Sequence, residues 1–328
     1  LSFARAGMWC IRDSCGVQIA RYHSIHSEWT EGQRAACNAY QLNPNHDLVT
    51  TSMVRSHIGP KDRLRAFAFM IDVLKKSGDI SDAIWNFWSY ADGWLPLDQM
   101  RSFCEEMLEL HSDTWSVWVL RVLQHKSENE LDEALALAQQ CCDKFSLIPR
   151  VFYEKAELHL LKQDKAAAAE AFETALTLAP GWSTVAKAYY DLLEEQGEAK
   201  RGLAILEKCK SHNPNDESLY GYIGYCYKEF GRDERAIELI EQALHINVDY
   251  LWAWRALRNW TQNGERFHNL LNAKKVEMSD RPEIFLVESQ LVDSYEEKKA
   301  CLEKALALSP TYIHCHIHYI DLLIEHRE

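Results

Sequence analysis

The sequence predicts an all-α protein built from one helix pair that returns about every 34 residues. Three observations predict it. With 13 Gly and 8 Pro in 328 residues, the chain has too few turn formers for an all-β fold. Apolar residues recur three and four apart, the spacing of one buried stripe per helix. A helix–break–helix block also returns at a fixed interval, which is the mark of a stacked array.

The block is plainest from Phe152 to Pro180, FYEKAELHLLKQDKAAAAEAFETALTLAP. It reads as an amphipathic helix, a polar break at Lys162–Asp164, and a second helix that Pro180 stops. Steps of one period land on Pro44, Gly78, Ser112, Ser146, Pro180, Pro214, Val248 and Pro282. Proline cannot continue the helical ladder, and glycine or serine ends it readily, so this column is expected to mark helix termini. The second helices carry a late column of Ala39, Val73, Met107, Cys141, Ala175, Cys209 and Ala243. Early in the same helices stand Gly32, Ala66, Met100, Ala134, Ala168, Gly202 and Ala236, mostly small, where paired helices must approach. First helices supply the bulk: Ile84, Trp118, Phe152, Tyr220 and Trp254.

Taken in order, residues 13–148 hold the period with irregular columns, and Arg121 and Lys155 fall at a slot that is apolar elsewhere. Residues 149–182, 183–216 and 217–250 are the most regular blocks. The block from 251 to 282 opens on Trp254 and decays after Gly264. Phe285, Leu286, Leu302, Ala305 and Pro310 mark a shorter pair, and 311–327 reads as one further helix, either a solvating cap or a cut array. The organisation expected is therefore divergent repeats over 1–148, regular repeats over 149–282, and a short repeat with a terminal helix over 283–328, forming one continuous array of about nine helix pairs.

At these residues the chain resembles the tetratricopeptide-repeat family. Tyr220 to Val248, YGYIGYCYKEFGRDERAIELIEQALHINV, carries the aromatic start, Ile223-Gly224, Tyr227, Gly231, Ala236, Ile240 and Ala243 of the family pattern. Ala156 and Tyr190 depart from its small first-helix glycine. The resemblance covers nearly the whole chain, most strongly residues 115–260. It implies a right-handed α-solenoid whose first helices line a concave groove, and a non-catalytic scaffold or adaptor that binds a peptide or protein segment there. Continuing the register, the groove is expected to present Tyr153, Glu157, Lys187, Asp191, Tyr225, Trp252, Arg255 and Asn259. Some members of the family grip a C-terminal carboxylate with basic residues and asparagines from three consecutive repeats. Arg255 and Asn259 match the first pair, but the next repeat departs from the pattern and no full clamp is expected.

The net charge of −13 arises wholly beyond residue 100, because residues 1–100 carry ten basic and ten acidic side chains. A phosphate backbone requires a basic stripe, so direct nucleic-acid binding is not expected. No apolar run approaches the roughly 18 residues of a membrane span. The start of the chain shows no signal-peptide core. The ten Cys are scattered among helical positions without CxxC pairing, which points to reduced thiols in a cytoplasmic setting.

Chemical sites are scarce. His314 and His318 share a helix face and could supply two zinc ligands, yet no third ligand is visible. Ser14-Cys15-Gly16 faintly resembles the start of papain-like peptidases, but helices follow where that fold needs strands. Glu194-Glu195 and Glu296-Glu297 read as solvated helix faces. Phosphate loops, HExxH and GxSxG are absent, so no catalytic residue, metal or cofactor is expected. Eleven Trp, including Trp85, Trp88, Trp94, Trp115 and Trp118, suit either packing between repeats or a binding surface. The alternatives to a scaffold are a regulatory or structural subunit of a larger enzyme complex and, less favoured, a helical-repeat enzyme. The latter rests on Trp252-Ala253-Trp254-Arg255, which resembles the Trp-rich repeats of protein prenyltransferase α subunits but does not recur.

Overall fold

The computed structural model describes residues 16–23, 26–58 and 62–326. Every regular element among them is helical. The first pair is α1 (residues 16–23) and α2 (Trp29–Leu42), followed by α3 (Asp47–Ile58) with α4 (Arg63–Lys76). Next come α5 (Ser81–Ala91) with α6 (Leu97–Leu110), α7 (Trp115–Ser127) with α8 (Leu131–Lys144), and α9 (Pro149–Leu161) with α10 (Lys165–Leu178). Then follow α11 (Ser183–Glu195) with α12 (Ala199–His212), α13 (Glu217–Glu229) with α14 (Asp233–Ile246), and α15 (Leu251–Trp260) with α16 (Glu265–Glu277). The last elements are α17 (Pro282–Ser289), α18 (Tyr295–Leu308) and α19 (Ile313–His326). First helices from α3 to α15 and second helices from α2 to α14 each start one full period after the last of their kind. The register then shortens: α16 starts at Glu265 where the period calls for Phe267, and α17 at Pro282 where it calls for Phe285.

That slip overturns one expectation. Pro282 does not end a helix but opens α17 at its first position, where its missing N–H costs nothing. The other columns behave as expected. All seven late positions of the second helices are buried, and so are the seven early ones. Among the first-helix knobs, Ile84 and Trp254 are fully buried, while Trp118, Phe152 and Tyr220 are half-buried. Arg121 and Lys155 are held by the preceding second helix at matching register positions, Arg121 by Glu105 at 2.7 Å and Lys155 by Gln139 at 2.7 Å.

The turn inside each pair is a repeated device as well. The backbone N–H of residues 28, 62, 130, 164, 198 and 232 returns to the carbonyl five residues earlier, closing the first helix. One residue before that donor the chain turns left-handed, at Ser27, Asn129, Gln163, Gly197 and Gly231, all on one register position.

The chain forms two compact units, Leu1–Leu178 and Ala179–Glu328. In the first, an aromatic core runs from Phe67 to Phe87 (ring centroids 6.0 Å) and on to Phe103 (4.7 Å). In the second, fully buried Trp254 meets Phe267 edge-on at 6.2 Å, with Phe285 also in that core. The terminal helix α19 does not make a polar cap: Ile313, Ile317, Ile320 and Ile324 are all exposed along it.

Eight cysteines lie among the described residues and all are free; Cys10 and Cys15 fall outside them. The adjacent Cys141 and Cys142 are both buried. Burial pushes the Cys104, Cys141 and Cys301 thiols up to about 12, and Cys209 and Cys226 up to about 11. The thiolate is the reactive form, so these groups are expected to react slowly with a disulfide reagent at pH 8 in the native protein. After denaturation all ten should titrate as free thiols. Recovery of native disulfides in that assay refutes the reduced state.

Candidate interaction face

On α11 and α13, positions three and ten are buried: Val185 and Leu192, Leu219 and Cys226. The candidate binding residues stand at positions two, five and nine of their helices, ranging from half-buried Tyr153, Glu157 and Lys187 to exposed Tyr225, Trp252, Arg255 and Asn259. Tyr153 and Glu157 belong to the first unit; the remaining six belong to the second.

In the first unit, Tyr153 is half-buried on α9, its ring 6.2 Å from that of Phe172. The Arg150 guanidinium lies 5.5 Å from the Tyr153 ring and 4.6 Å from that of Trp85, while its N–H groups hold buried Glu154 at 2.6 Å. Glu157 sits 4.0 Å from Lys126 on α7. Burial raises the Glu157 pKa, Lys126 opposes the shift, and a hydrogen bond joins Glu157 to the Tyr153 hydroxyl. Trp85 packs on Trp115 of the next first helix at 6.0 Å, so this tryptophan pair works between repeats. Trp94 is the exposed member of the group, at 59%, with the Arg63 guanidinium 3.7 Å over its ring.

In the second unit, Lys187 and Asp191 are both consumed by α13. Lys187 Nζ donates to Ser218 Oγ at 2.9 Å. Ser218 in turn donates to Asp216, the carboxylate that caps α13 by accepting from the Leu219 N–H at 3.0 Å. Burial lowers the Lys187 pKa, with Asp216 pulling the other way. Asp191 does not pair with Lys187; it accepts the Tyr222 hydroxyl. Burial raises the Asp191 carboxyl, and Glu194 and Glu195 push the same way.

Further along the same face the side chains are unengaged. Tyr225 is 48% exposed, Arg255 and Asn259 are exposed, and no hydrogen bond or ring contact ties any of the three within the described residues. Trp252 is 42% exposed and stacks on Tyr250, with centroids 5.8 Å apart. A Cβ on Gly221 would lie 2.8 Å from the Tyr250 hydroxyl and 3.1 Å from Trp252, so this glycine seats both rings on α13. Arg255 also opens into a cavity of about 250 Å³ with Gln290, Lys298, His318, Asp321 and Glu325. Nothing in the repeat pattern warns of this neighbourhood, because α17 to α19 lie beyond the point where the register breaks.

The alternative chemical sites come apart. Cys315 is buried and its thiol donates to the Leu302 carbonyl, His316 meets the Pro310 carbonyl at 2.7 Å, and His318 meets Gln290 at 3.3 Å. No group of three metal-ligating side chains occurs among the described residues. Glu194, Glu195, Glu296 and Glu297 are exposed, and Cys15 lies outside the described residues. Among the described residues, no helix is long and apolar enough to cross a membrane.

The tetratricopeptide-repeat family model matches residues 149–181 and 218–247. No curated protein matches the chain. Among solved structures, the crystal structure of MamA is 16% identical and covers 52% of this chain and 95% of its own, with a TM-score of 0.40. A MamA fragment from Desulfovibrio magneticus RS-1 is 16% identical over 50% of this chain and 96% of its own, at 0.38. YrrB, described as a repeat protein with an unusual peptide-binding site, is 17% identical over 58% of this chain and 97% of its own, at 0.37.

Proposed function

We propose that this chain, a tetratricopeptide-repeat protein, is a non-catalytic scaffold that holds a peptide or protein segment on the first-helix face of its second unit. One observation carries the reading: Tyr225, Arg255 and Asn259 stand exposed on consecutive first helices with their polar groups uncommitted, beside half-open Trp252. Aromatic and arginine side chains of this kind anchor interfaces, because each brings a large contact area with polar atoms at its tip. Lys187 and Asp191 contribute by fixing α13 against α11. Tyr153 and Glu157 hold the corresponding positions on the first unit.

A peptide selected from a random display pool on the intact chain tests this. Tyr225→Ala/Arg255→Ala is expected to weaken it by at least about 2 kcal/mol, roughly thirtyfold, with helicity unchanged. Unchanged affinity, combined with loss on Trp85→Ala/Trp88→Ala, moves the surface to the first unit, and failure to select any peptide rejects a peptide groove. A second reading, a subunit of a larger assembly, draws on the exposure of Leu64 (57%), Trp94 (59%) and Leu97 (62%).

A further inference from the structure

Helix α17 spans eight residues where α11 and α13 span thirteen, so its last turn is missing and the chain leaves the helix at Gln290. Helices α18 and α19 keep fourteen residues each, and a cavity of about 250 Å³ opens where α17 stops, beside Ser289 and Gln290. His318, Asp321, Leu322 and Glu325 line it from α19, on a face distinct from that of the exposed isoleucines. Leu322 is buried there and Gln290 meets His318 at 3.3 Å, so this side of α19 looks back into the second unit. Four charged side chains border the cavity: Arg255 from α15, Lys298 from α18, and Asp321 and Glu325 from α19. No hydrogen bond or ion pair ties any of the four among the described residues. Lys298 also lies within electrostatic reach of Asp293, but Arg258 already holds that carboxylate at 2.8 Å. Two bases and two acids thus face one small space without pairing across it.

We propose that this cavity binds a free α-amino acid as its zwitterion, the carboxylate on Arg255 and Lys298 and the ammonium on Asp321 and Glu325. Charge selects the ligand class. A lone anion would answer the bases and be repelled by the acids, and a lone cation would do the reverse. A molecule carrying both signs answers all four and leaves the site neutral. A guanidinium takes a carboxylate through two parallel N–H groups, and an ammonium has three donors for the two acids to share. Size agrees with charge. The volume falls just under the 300 Å³ or so at which drug-sized sites begin, too small for a peptide segment. The apolar members of the lining are Leu302 and Leu322, which favours a short side chain. The site stands apart from the peptide face: Arg255 belongs to both, while Lys298, Asp321 and Glu325 belong to the cavity alone.

Isothermal titration calorimetry of the intact 328-residue chain against each of the twenty standard α-amino acids, with no peptide present, tests this. At least one is expected to bind with Kd below about 1 mM. Its carboxamide, which lacks the negative charge, and its deaminated acid, which lacks the ammonium, should each bind at least about tenfold more weakly. Arg255→Gln and Asp321→Asn should each weaken the amino acid at least about tenfold as well, with circular dichroism unchanged. No binding by any of the twenty up to about 10 mM, undiminished binding of either one-charge analogue, or affinity that survives both substitutions each overturns the proposal. None of these outcomes bears on the peptide face, whose own test reads a selected peptide against Tyr225→Ala/Arg255→Ala.

Discussion

Trp254→Ala is expected to destabilise the second unit by about 3–5 kcal/mol, as large-to-small changes at fully buried aromatics do. The side chain is 0% exposed, and its indole N–H donates to the Val248 carbonyl at 2.8 Å. The ring therefore fills the seam between α15 and α16 while tying down the loop that enters α15. Trp118 uses the same device four repeats earlier, donating to the Ser112 carbonyl at 2.7 Å. It differs in burial, being half-exposed beside Phe145 and the Lys144 ammonium. Less apolar surface leaves water there, so Trp118→Ala should cost about half as much. Trp254→Phe separates the two contributions, retaining most of the packing but leaving the Val248 carbonyl without its donor, at a cost of about 1–3 kcal/mol. Urea unfolding of the three variants checks the ranking. Equal losses at Trp118 and Trp254 would show that the shared hydrogen bond, and not burial, sets the cost.

How far the fold could be read in advance depended on what each position needs. The columns that face another helix were legible, because burial restricts them to small or apolar residues: Ala39 through Ala243 and Gly32 through Ala236 all sit inside. The turn column was not. Its left-handed conformation suits glycine, yet Ser27, Asn129 and Gln163 adopt it beside Gly197 and Gly231, so composition hid the regularity. Pro282 misled for a related reason, since proline suits the first turn of a helix as well as the residue after one. The candidate site was legible only as a face. Periodicity places Lys187, Asp191, Tyr225 and Arg255 on the same edge, but it carries no information on where a long side chain ends. Ser218 and Tyr222 consume the first two, and those partners sit on a neighbouring helix about 31 residues away. The cavity beside Arg255 lay beyond reach because it needs three helices whose spacing no longer follows the period.

Gly224→Leu should be among the most damaging changes available in the regular repeats, at about 3 kcal/mol. A Cβ at Gly224 would already lie 3.2 Å from both the Ala236 carbonyl oxygen and Ile240 Cδ1, so a further branched chain must push α13 off α14. Gly224→Ala is expected to be close to neutral: neighbours yield by a few tenths of an ångström, and alanine recovers up to about 1 kcal/mol of helix propensity. The crossing joins the eighth residue of a first helix to the residue twelve further on, and the neighbouring repeat divides its space the other way. There Tyr190 is the large partner, and a Cβ on Gly202 would stand 2.8 Å from its ring and 3.2 Å from its Cα. Gly202→Ala should therefore be costly where Gly224→Ala is not, and less costly in a Tyr190→Ala background, giving a coupling that a double-mutant cycle measures. Repeats of this kind couple mainly to their neighbours, so amide exchange in Gly224→Leu should rise first in α13 and α14, then in α12 and α15. Unchanged exchange across those helices would mean that the crossing can open without loss, and that the space between α13 and α14 does not set the need for glycine at this position.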